Sequence, residues 1–326
     1  MESAIIAKAV ELGFAAAGCV PAGPSQSQAV FEQWLASGRA AEMQYLFRHA
    51  ALRQHPDRLL PDARTLVMVA ARHLPGSPGD YYAGYACRPD YHEVLRARLR
   101  QLGEYIRDRT GGRARFRVCV DSAPLPEREW ALRAGLGWRG RQGALVHPHW
   151  GCCLFLGAVV LDVALQPTGA PAPDLCGDCR MCVSACPNGA IGPDGLVDAR
   201  RCAAYWSVEH REIIPRAQAG LVGQRLFGCD CCTADCPRNP ARADTAGMLP
   251  DFIHGNVEPP GPAACLALSG SEFSTVFRGT PVMRLGRERL QRNAVVVLFN
   301  QGRRLRVGEY ANLTPLAVRQ VAETED

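Results

Sequence analysis

The chain has 326 residues, 47% hydrophobic and 21% charged, which admits two domains, or one with a large insertion, and excludes wholesale disorder. A net charge of +5 permits a nucleic-acid partner without requiring one. Lys8 is the sole lysine and lies in an ordinary amphipathic segment, so Schiff-base chemistry is disfavoured. No basic region followed by an apolar run follows Met1, and the longest uncharged apolar stretch, Gly151 to Leu161, falls short of the roughly 20 residues that span a bilayer. The expectation is a soluble, cytoplasmic protein. Its 15 cysteines then point to metal rather than to disulfides, because the cytosol keeps thiols reduced.

In chain order, Ile5, Ile6, Ala9, Val10 and Leu12 fall at helical spacing, and a short apolar strand follows up to Val20. Residues 28–48 read as helical, with Gly38 a weak point. Thr65–Ala71 is a continuous apolar run, as in a strand buried on both faces. A loop containing Pro75, Gly76, Pro78 and Gly79 carries Tyr81, Tyr82 and Tyr85. Tyr91–Arg109 is an amphipathic helix with Val94, Leu95, Leu99, Leu102 and Ile106 on one face. Arg115–Val120 and Ala158–Leu161 read as strands. Helices alternating with strands predict an α/β (α+β) sandwich over residues 1–165. A Pro-rich boundary at 166–174 opens a cysteine segment, 166–240. Residues 241–326 form a mainly helical tail, clearest over Met283–Phe299.

Cys176, Cys179, Cys182 and Cys186, followed by Pro187, have the C-x2-C-x2-C-x3-C-P spacing of a bacterial ferredoxin run. A zinc ribbon would use two separated pairs instead. Cys229, Cys232 and Cys236 with Pro237 repeat its last three ligands. Cys202 takes the part of Cys176, displaced by an insertion, and Cys231 is the spare. In two-cluster ferredoxins the fourth cysteine of each run serves the other cluster. One 4Fe–4S cluster then takes Cys176, Cys179, Cys182 and Cys236, and the other takes Cys202, Cys229, Cys232 and Cys186. The remaining cysteines read as small core residues. Two clusters make an electron wire, whose terminus belongs in the first 165 residues.

Four segments narrow the reading: Pro89-Asp90-Tyr91-His92, Val120-Asp121-Ser122-Ala123-Pro124, Gly135-Leu136-Gly137-Trp138, and Arg201-Cys202 through Tyr205 to His210. Together with the split cysteine module, Phe155-Leu156-Gly157 and Arg292-Asn293, they resemble epoxyqueuosine reductase, a cobalamin-dependent family related to the reductive dehalogenases. The resemblance runs over about residues 1–300. It implies reduction of epoxyqueuosine to queuosine at the wobble base of tRNA, the last step of queuosine biosynthesis. It also implies a cobalamin-binding α/β domain fed by the two clusters, with Asp121 as proton donor. Asp121 ends a predicted strand among apolar residues, a setting that raises a carboxyl pKa; a helix cap for the following segment is the bland alternative. The family match extends cobalamin contact to Arg48, Tyr91, Asp121, Leu145, Leu156 and Ser207, each of which could be ordinary structure. The family match gives Tyr205, Glu209 and His210 no separate chemistry.

Arg139, Arg141, Arg200, Arg201 and Arg211 are candidate phosphate contacts for an anticodon loop, or simply a solvated arginine surface. An external low-potential electron donor and a monomeric state complete the expectation. Several positions depart from the family pattern: Arg88-Pro89, Arg141-Gln-Gly-Ala144, Cys152-Cys153 and Arg238. The helical-repeat extension of some members is absent. The competing functions are a cobalamin-dependent reductase or dehalogenase-like enzyme acting on a small molecule, and a ferredoxin-type electron-transfer subunit.

Overall fold

The computed structural model describes residues 1–77, 80–255 and 257–325; Pro78 and Gly79 of the expected loop lie outside them. Four strands form one sheet. They are β1 (Ala16–Pro21), β2 (Thr65–Arg72), β3 (Phe116–Val120) and, after a two-residue ladder of β4 (Trp138–Arg139) and β5 (Leu145–Val146), β6 (Leu154–Leu161). The spatial order is β1-β2-β6-β3, and every pairing is antiparallel. The sheet is therefore of α+β type, with none of the parallel pairs of a βαβ unit.

The apolar run of β2 lies at the sheet's centre because both of its faces are covered. Val67, Val69 and Ala71 pack with Ile5 and Ala9 of α1 (Glu2–Glu11) and with Leu95, Leu99, Leu102 and Ile106. The alternate residues Leu66, Met68 and Ala70 pack with Leu125, Trp130 and Ala131. This is the two-residue period of a strand serving two cores. The expected 28–48 helix is broken into α2 (Gln28–Ala36) and α3 (Gln44–Arg48). Gly38 between them adopts φ 72°, a left-handed conformation natural to glycine. Helix α4 (Tyr91–Arg109) has the predicted bounds and is capped by Asp90, whose carboxylate accepts from the His92 amide. Helix α5 (Glu127–Arg133) follows β3. Beyond the sheet, α6 (Met181–Ser184), α7 (Arg216–Val222) and α8 (Cys231–Ala234) are short. A third core forms around the helix Arg287–Asn300, and the long C-terminal helix predicted from Met283 is split at Gly286.

Arg292 is fully buried in that helix. Its guanidinium donates to the carbonyls of His210 (2.7 Å), Glu212 (2.8 Å) and Trp206 (3.0 Å). Asn293 donates to the carbonyls of Ser207 (2.7 Å) and Leu226 (2.8 Å). The pair holds the irregular segment after Cys202, including a π-helical turn at Tyr205–Glu209. Burial, with Arg289 nearby, pulls the Arg292 pKa down to about 9. Arg292→Leu leaves its carbonyl partners unpaired at ~1–3 kcal/mol each. Urea denaturation should show a loss of about 3 kcal/mol or more; a loss below ~1 kcal/mol would mean that water replaces the guanidinium.

Candidate active site

Asp121 follows directly on β3, where Val120 pairs with Gly157 of β6. Its φ is 46°, an unusual backbone conformation for a residue with a side chain. The turn carries the carboxylate off the end of the sheet to meet the start of α4. There the Tyr91 hydroxyl donates to Asp121 Oδ2 at 3.0 Å, and His92 Nε2 lies 2.9 Å from the same oxygen. His92 Nδ1 is 2.7 Å from Asp90 Oδ1, and Arg284 Nε donates to Asp90 Oδ2 at 2.8 Å. The chain Arg284–Asp90–His92–Asp121 thus runs from a helix cap to an exposed carboxylate. Tyr91 is stacked on Phe155 at 4.1 Å and on His92 at 4.0 Å, which fixes both rings.

Asp121 does not cap a helix, since α5 begins after Pro126. Nor is its pKa raised, as its apolar sequence neighbours suggested. Burial does push it up, but the hydrogen bond and charge of His92, then the Tyr91 hydroxyl, outweigh burial and lower it. His92 shows the mirror effect: burial pulls it down, and the hydrogen bonds to Asp121 and Asp90 raise it overall. Asp90 is pushed up by burial yet falls to about 2 under its bonds to His92 and Arg284. The partner that reverses the Asp121 shift, His92, lies in the quoted Asp-Tyr-His motif, but nothing in the sequence joins it to Asp121.

The Asp121 side chain is 60% exposed, although burial is the largest single influence on its pKa. Tyr45 is likewise 40% exposed while burial raises its pKa. Side chains that water reaches although protein surrounds them line a cleft. The Asp121 charge is felt at Tyr45 on α3, at Glu127 on α5 and at Glu209 in the π-helical turn, which sets these elements around it. Glu127 has a buried, unpartnered Oε1, and burial, reinforced by Asp121, pushes its pKa up to about 8. A separate cavity of about 450 Å³ has Arg88 and Arg242 in its wall and none of Tyr91, His92 or Asp121.

The cysteines form neighbouring groups. The charges of Cys176, Cys236 and Cys179 act on Cys182, and those of Cys202 and Cys186 act on Cys232. Cys231 is tied into other bonds: its sulfur accepts from buried Arg225 at 3.1 Å and is hydrogen-bonded to Cys229. Among the described residues no three metal-ligating side chains converge on one ion. The donor set suits clusters, because N–H groups are aimed at the sulfurs. The Trp138 indole donates to Cys176 Sγ and the Ala190 amide to Cys186 Sγ, both at 3.2 Å, while the Val183 amide serves Cys182 and the Ala204 and Tyr205 amides serve Cys202.

Residues 175–239, which contain all eight expected ligands, match the family model of a 4Fe-4S double cluster binding domain. Residues 53–122, which contain Tyr91, His92 and Asp121, match the model described as epoxyqueuosine reductase QueG, DUF1730. The epoxyqueuosine reductase of Alicycliphilus denitrificans is 36% identical over 307 residues, covering 89% of this chain and 84% of the relative. The Escherichia coli enzyme is 35% identical over 302 residues, covering 89% and 79%. The chain belongs to the epoxyqueuosine reductase family. A crystal structure of epoxyqueuosine reductase with an epoxyqueuosine-modified tRNA-Tyr stem loop matches at TM-score 0.81 and 25% identity, covering 91% of this chain and 80% of the other. The Bacillus subtilis enzyme with its catalytic aspartate loop swung out of the active site matches equally well, at 0.81 and 25% over 91% and 81%.

Within this member of the epoxyqueuosine reductase family, the expected cofactor contacts fall into two groups. Tyr91 and Asp121 line the cleft, Arg48 is exposed at the end of α3 beside Tyr45, and Leu156 follows Phe155 on β6. Leu145 is instead buried in the core with Leu136 and Trp130. Ser207 is fully buried, and its hydroxyl is spent on the Ala203 carbonyl (2.8 Å) and the Gly228 amide (3.1 Å). It is a structural hydroxyl. Of the candidate phosphate contacts, Arg139 donates to the Gly195 carbonyl, Arg141 to the Gly177 carbonyl, and Arg200 pairs with Asp198.

The cysteine grouping is testable by composition. Anaerobically prepared protein should contain about eight irons and eight sulfides. Cys231→Ser should keep that content, whereas Cys232→Ser should lose a cluster. Equal losses would place Cys231 among the ligands.

Proposed function

We propose that this chain is an oxidoreductase that reduces epoxyqueuosine to queuosine in tRNA, the last step of queuosine biosynthesis, with Asp121 delivering a proton to the departing epoxide oxygen. The observation that carries the reading is the hydrogen-bonded Asp121–His92–Tyr91 group, whose charge reaches Glu209 in the cysteine-bearing segment. The work is divided along the chain. Residues 1–165 hold the cofactor and substrate, 166–240 form the ferredoxin-like double-cluster module, and the mainly helical 241–326 packs on both. Two 4Fe–4S clusters on the eight cysteines receive electrons from an external low-potential donor. The protein works in the cytoplasm as a monomer.

The cleft suits cobalamin as the second cofactor. Tyr91 stacked on Phe155 offers an apolar wall, and exposed Tyr45 and Arg48 offer polar groups for the corrin's amide side chains. When bound, cobalamin supplies a low-valent cobalt able to engage carbon, so the protein need only provide position and protons. Tyr91 and His92 orient the Asp121 carboxylate, and the walls from α3 and the Tyr205–Glu209 turn limit access to the cleft. The tRNA anticodon loop presents its wobble base here as a splayed nucleotide. Exposed Arg211 supplies positive charge for its backbone, and Arg139, Arg141 and Arg180 flank a small cleft of about 150 Å³ that Asp174 and Asp194 also line.

Asp121→Asn preserves shape and removes the proton. It should retain iron, sulfide and cobalamin, yet slow single-turnover reduction by ~10²–10⁴-fold, the range for a positioned acid. Chemically reduced enzyme removes the unknown donor from the rate. In a deletion strain, tRNA should accumulate epoxyqueuosine; normal queuosine there would exclude this substrate.

A further inference from the structure

The proposed reaction consumes protons that an ionised carboxylate does not hold. Removing the epoxide oxygen as water breaks two C–O bonds, forms one C=C bond and two O–H bonds, and takes two electrons and two protons. The electrons come from the external reductant. Asp121, exposed and bonded to two donors on one oxygen, is ionised at rest. The nearest group able to carry a proton into the cleft is His92, whose side chain is only 6% exposed and whose two ring nitrogens lie between carboxylates, 2.7 Å from Asp90 and 2.9 Å from Asp121.

From this geometry, and resting on the function proposed above, we propose that His92 is the proton reservoir of the site: its Nε2 proton passes to Asp121 Oδ2 as Asp121 protonates the leaving oxygen, while Asp90, anchored by Arg284, keeps His92 charged and oriented. The second proton comes from water in the open cleft. The imidazole is held for this task. Nδ1–H faces Asp90, so Nε2–H must face Asp121, and the ring cannot turn because Tyr91 is stacked on it at 4.0 Å. Asp90 is in turn fixed as the cap of α4 and by the Arg284 bond. The groups facing His92 are Asp90, Asp121 and Tyr91, with Arg284 and Glu93 one contact further out. Those acting on Asp121 from the opposite wall are Arg128, which lowers it, and Glu127 and Glu209, which feel its charge. The two carboxylates bonded to the ring, Asp90 and Asp121, favour the imidazolium, in line with the raised His92 pKa. Tyr91 cannot take the role, since burial and Asp121 raise its phenol and it serves as a hydrogen-bond donor only.

The sign of the pH dependence follows. A reservoir with a raised pKa is loaded below that value and empties above it, so the single-turnover rate should fall on the alkaline side, at a pH above the ordinary histidine value of about 6.5. The experiment is single-turnover reduction of epoxyqueuosine-containing tRNA by chemically reduced, cobalamin-loaded enzyme between pH 5.5 and 9. His92→Gln should lose at least ~10-fold at neutral pH and the alkaline limb with it, with iron content, cobalamin absorbance and tRNA binding unchanged. Asp90→Asn keeps the helix cap, because asparagine caps as well as aspartate, but removes one charge from the imidazole. It should move the alkaline limb to lower pH. A merely structural His92 would not move that midpoint. An unshifted limb in Asp90→Asn, or a wild-type pH profile in His92→Gln, overturns the reservoir and leaves Asp121 as donor. Full activity of Asp121→Asn overturns the underlying reading instead.

Discussion

The buried carboxylate of Asp230 joins the two halves of the molecule. It stands between Cys229 and Cys231, and its Oδ2 accepts from the amides of Gly76 and Gly84, both at 2.7 Å. Charge-assisted bonds of this kind fix direction as well as distance. They require two backbone segments to close on one oxygen, and a Cβ at Gly84 would lie 2.4 Å from the Gly76 nitrogen. The loop after β2 is therefore locked onto the segment that bears the second cysteine run. Tyr85, just beyond Gly84, meets Tyr91 at 5.9 Å edge-on, and Tyr91 holds Asp121. One carboxylate thus fixes the cysteine segment and the Asp121 carboxylate in a single frame.

The rest of the seam is made in the same way, from hydrogen bonds to backbone. The Trp34 indole donates to the Val197 carbonyl at 2.7 Å, and the Ala199 amide to the Arg39 carbonyl at 2.8 Å. Arg39 pairs with Asp194 and Glu42 with His210. Exposed pairs such as Arg39–Asp194 contribute little stability by themselves. The indole and backbone bonds fix register and hold the 34–39 segment against residues 194–199 of the cysteine segment. A redox protein needs this rigidity, because electron delivery and proton delivery must meet at one point without reorganisation.

How far the sequence foretold this arrangement depended on whether the cause was local. The buried strand Thr65–Ala71, the bounds of α4 and the cysteine spacing were legible, since each is written in consecutive residues. The antiparallel strand order was not, because alternation of helices and strands suits α/β and α+β sheets alike. The ionisation of Asp121 was misjudged for the same reason. Its sequence neighbours are apolar and predict a raised pKa, while the decisive partner, His92, lies on another element and reaches it only through the turn at positive φ. The resemblance assigns Ser207 to the cofactor segment, and the sequence does not reveal that its hydroxyl bonds the Ala203 carbonyl and the Gly228 amide. Periodicity cannot reveal a π turn, nor which hydroxyls it buries.

The departures from the family pattern find their explanation at the seam rather than in the cleft. Cys152 is buried; its amide donates to Asn239 Oδ1 at 3.0 Å, and its thiol lies 3.5 Å from that oxygen and from the Thr233 carbonyl. Asn239 in turn donates to the Thr233 carbonyl at 2.7 Å, so a small side chain at position 152 admits the turn that follows Cys236. Arg238 lies over the Trp138 ring at 5.8 Å and donates to the Leu175 carbonyl at 2.9 Å, while that same Trp138 donates to Cys176 Sγ. Arg88 donates to the carbonyls of Gly84 and Phe252 at 3.0 and 2.6 Å, reinforcing the loop that Asp230 grips. In this chain each of these three side chains fastens the cysteine segment or the loop beside it. Tyr91, His92 and Asp121 take no part in these contacts, so the fastening of the cysteine segment and the hydrogen bonds at Asp121 rest on separate side chains.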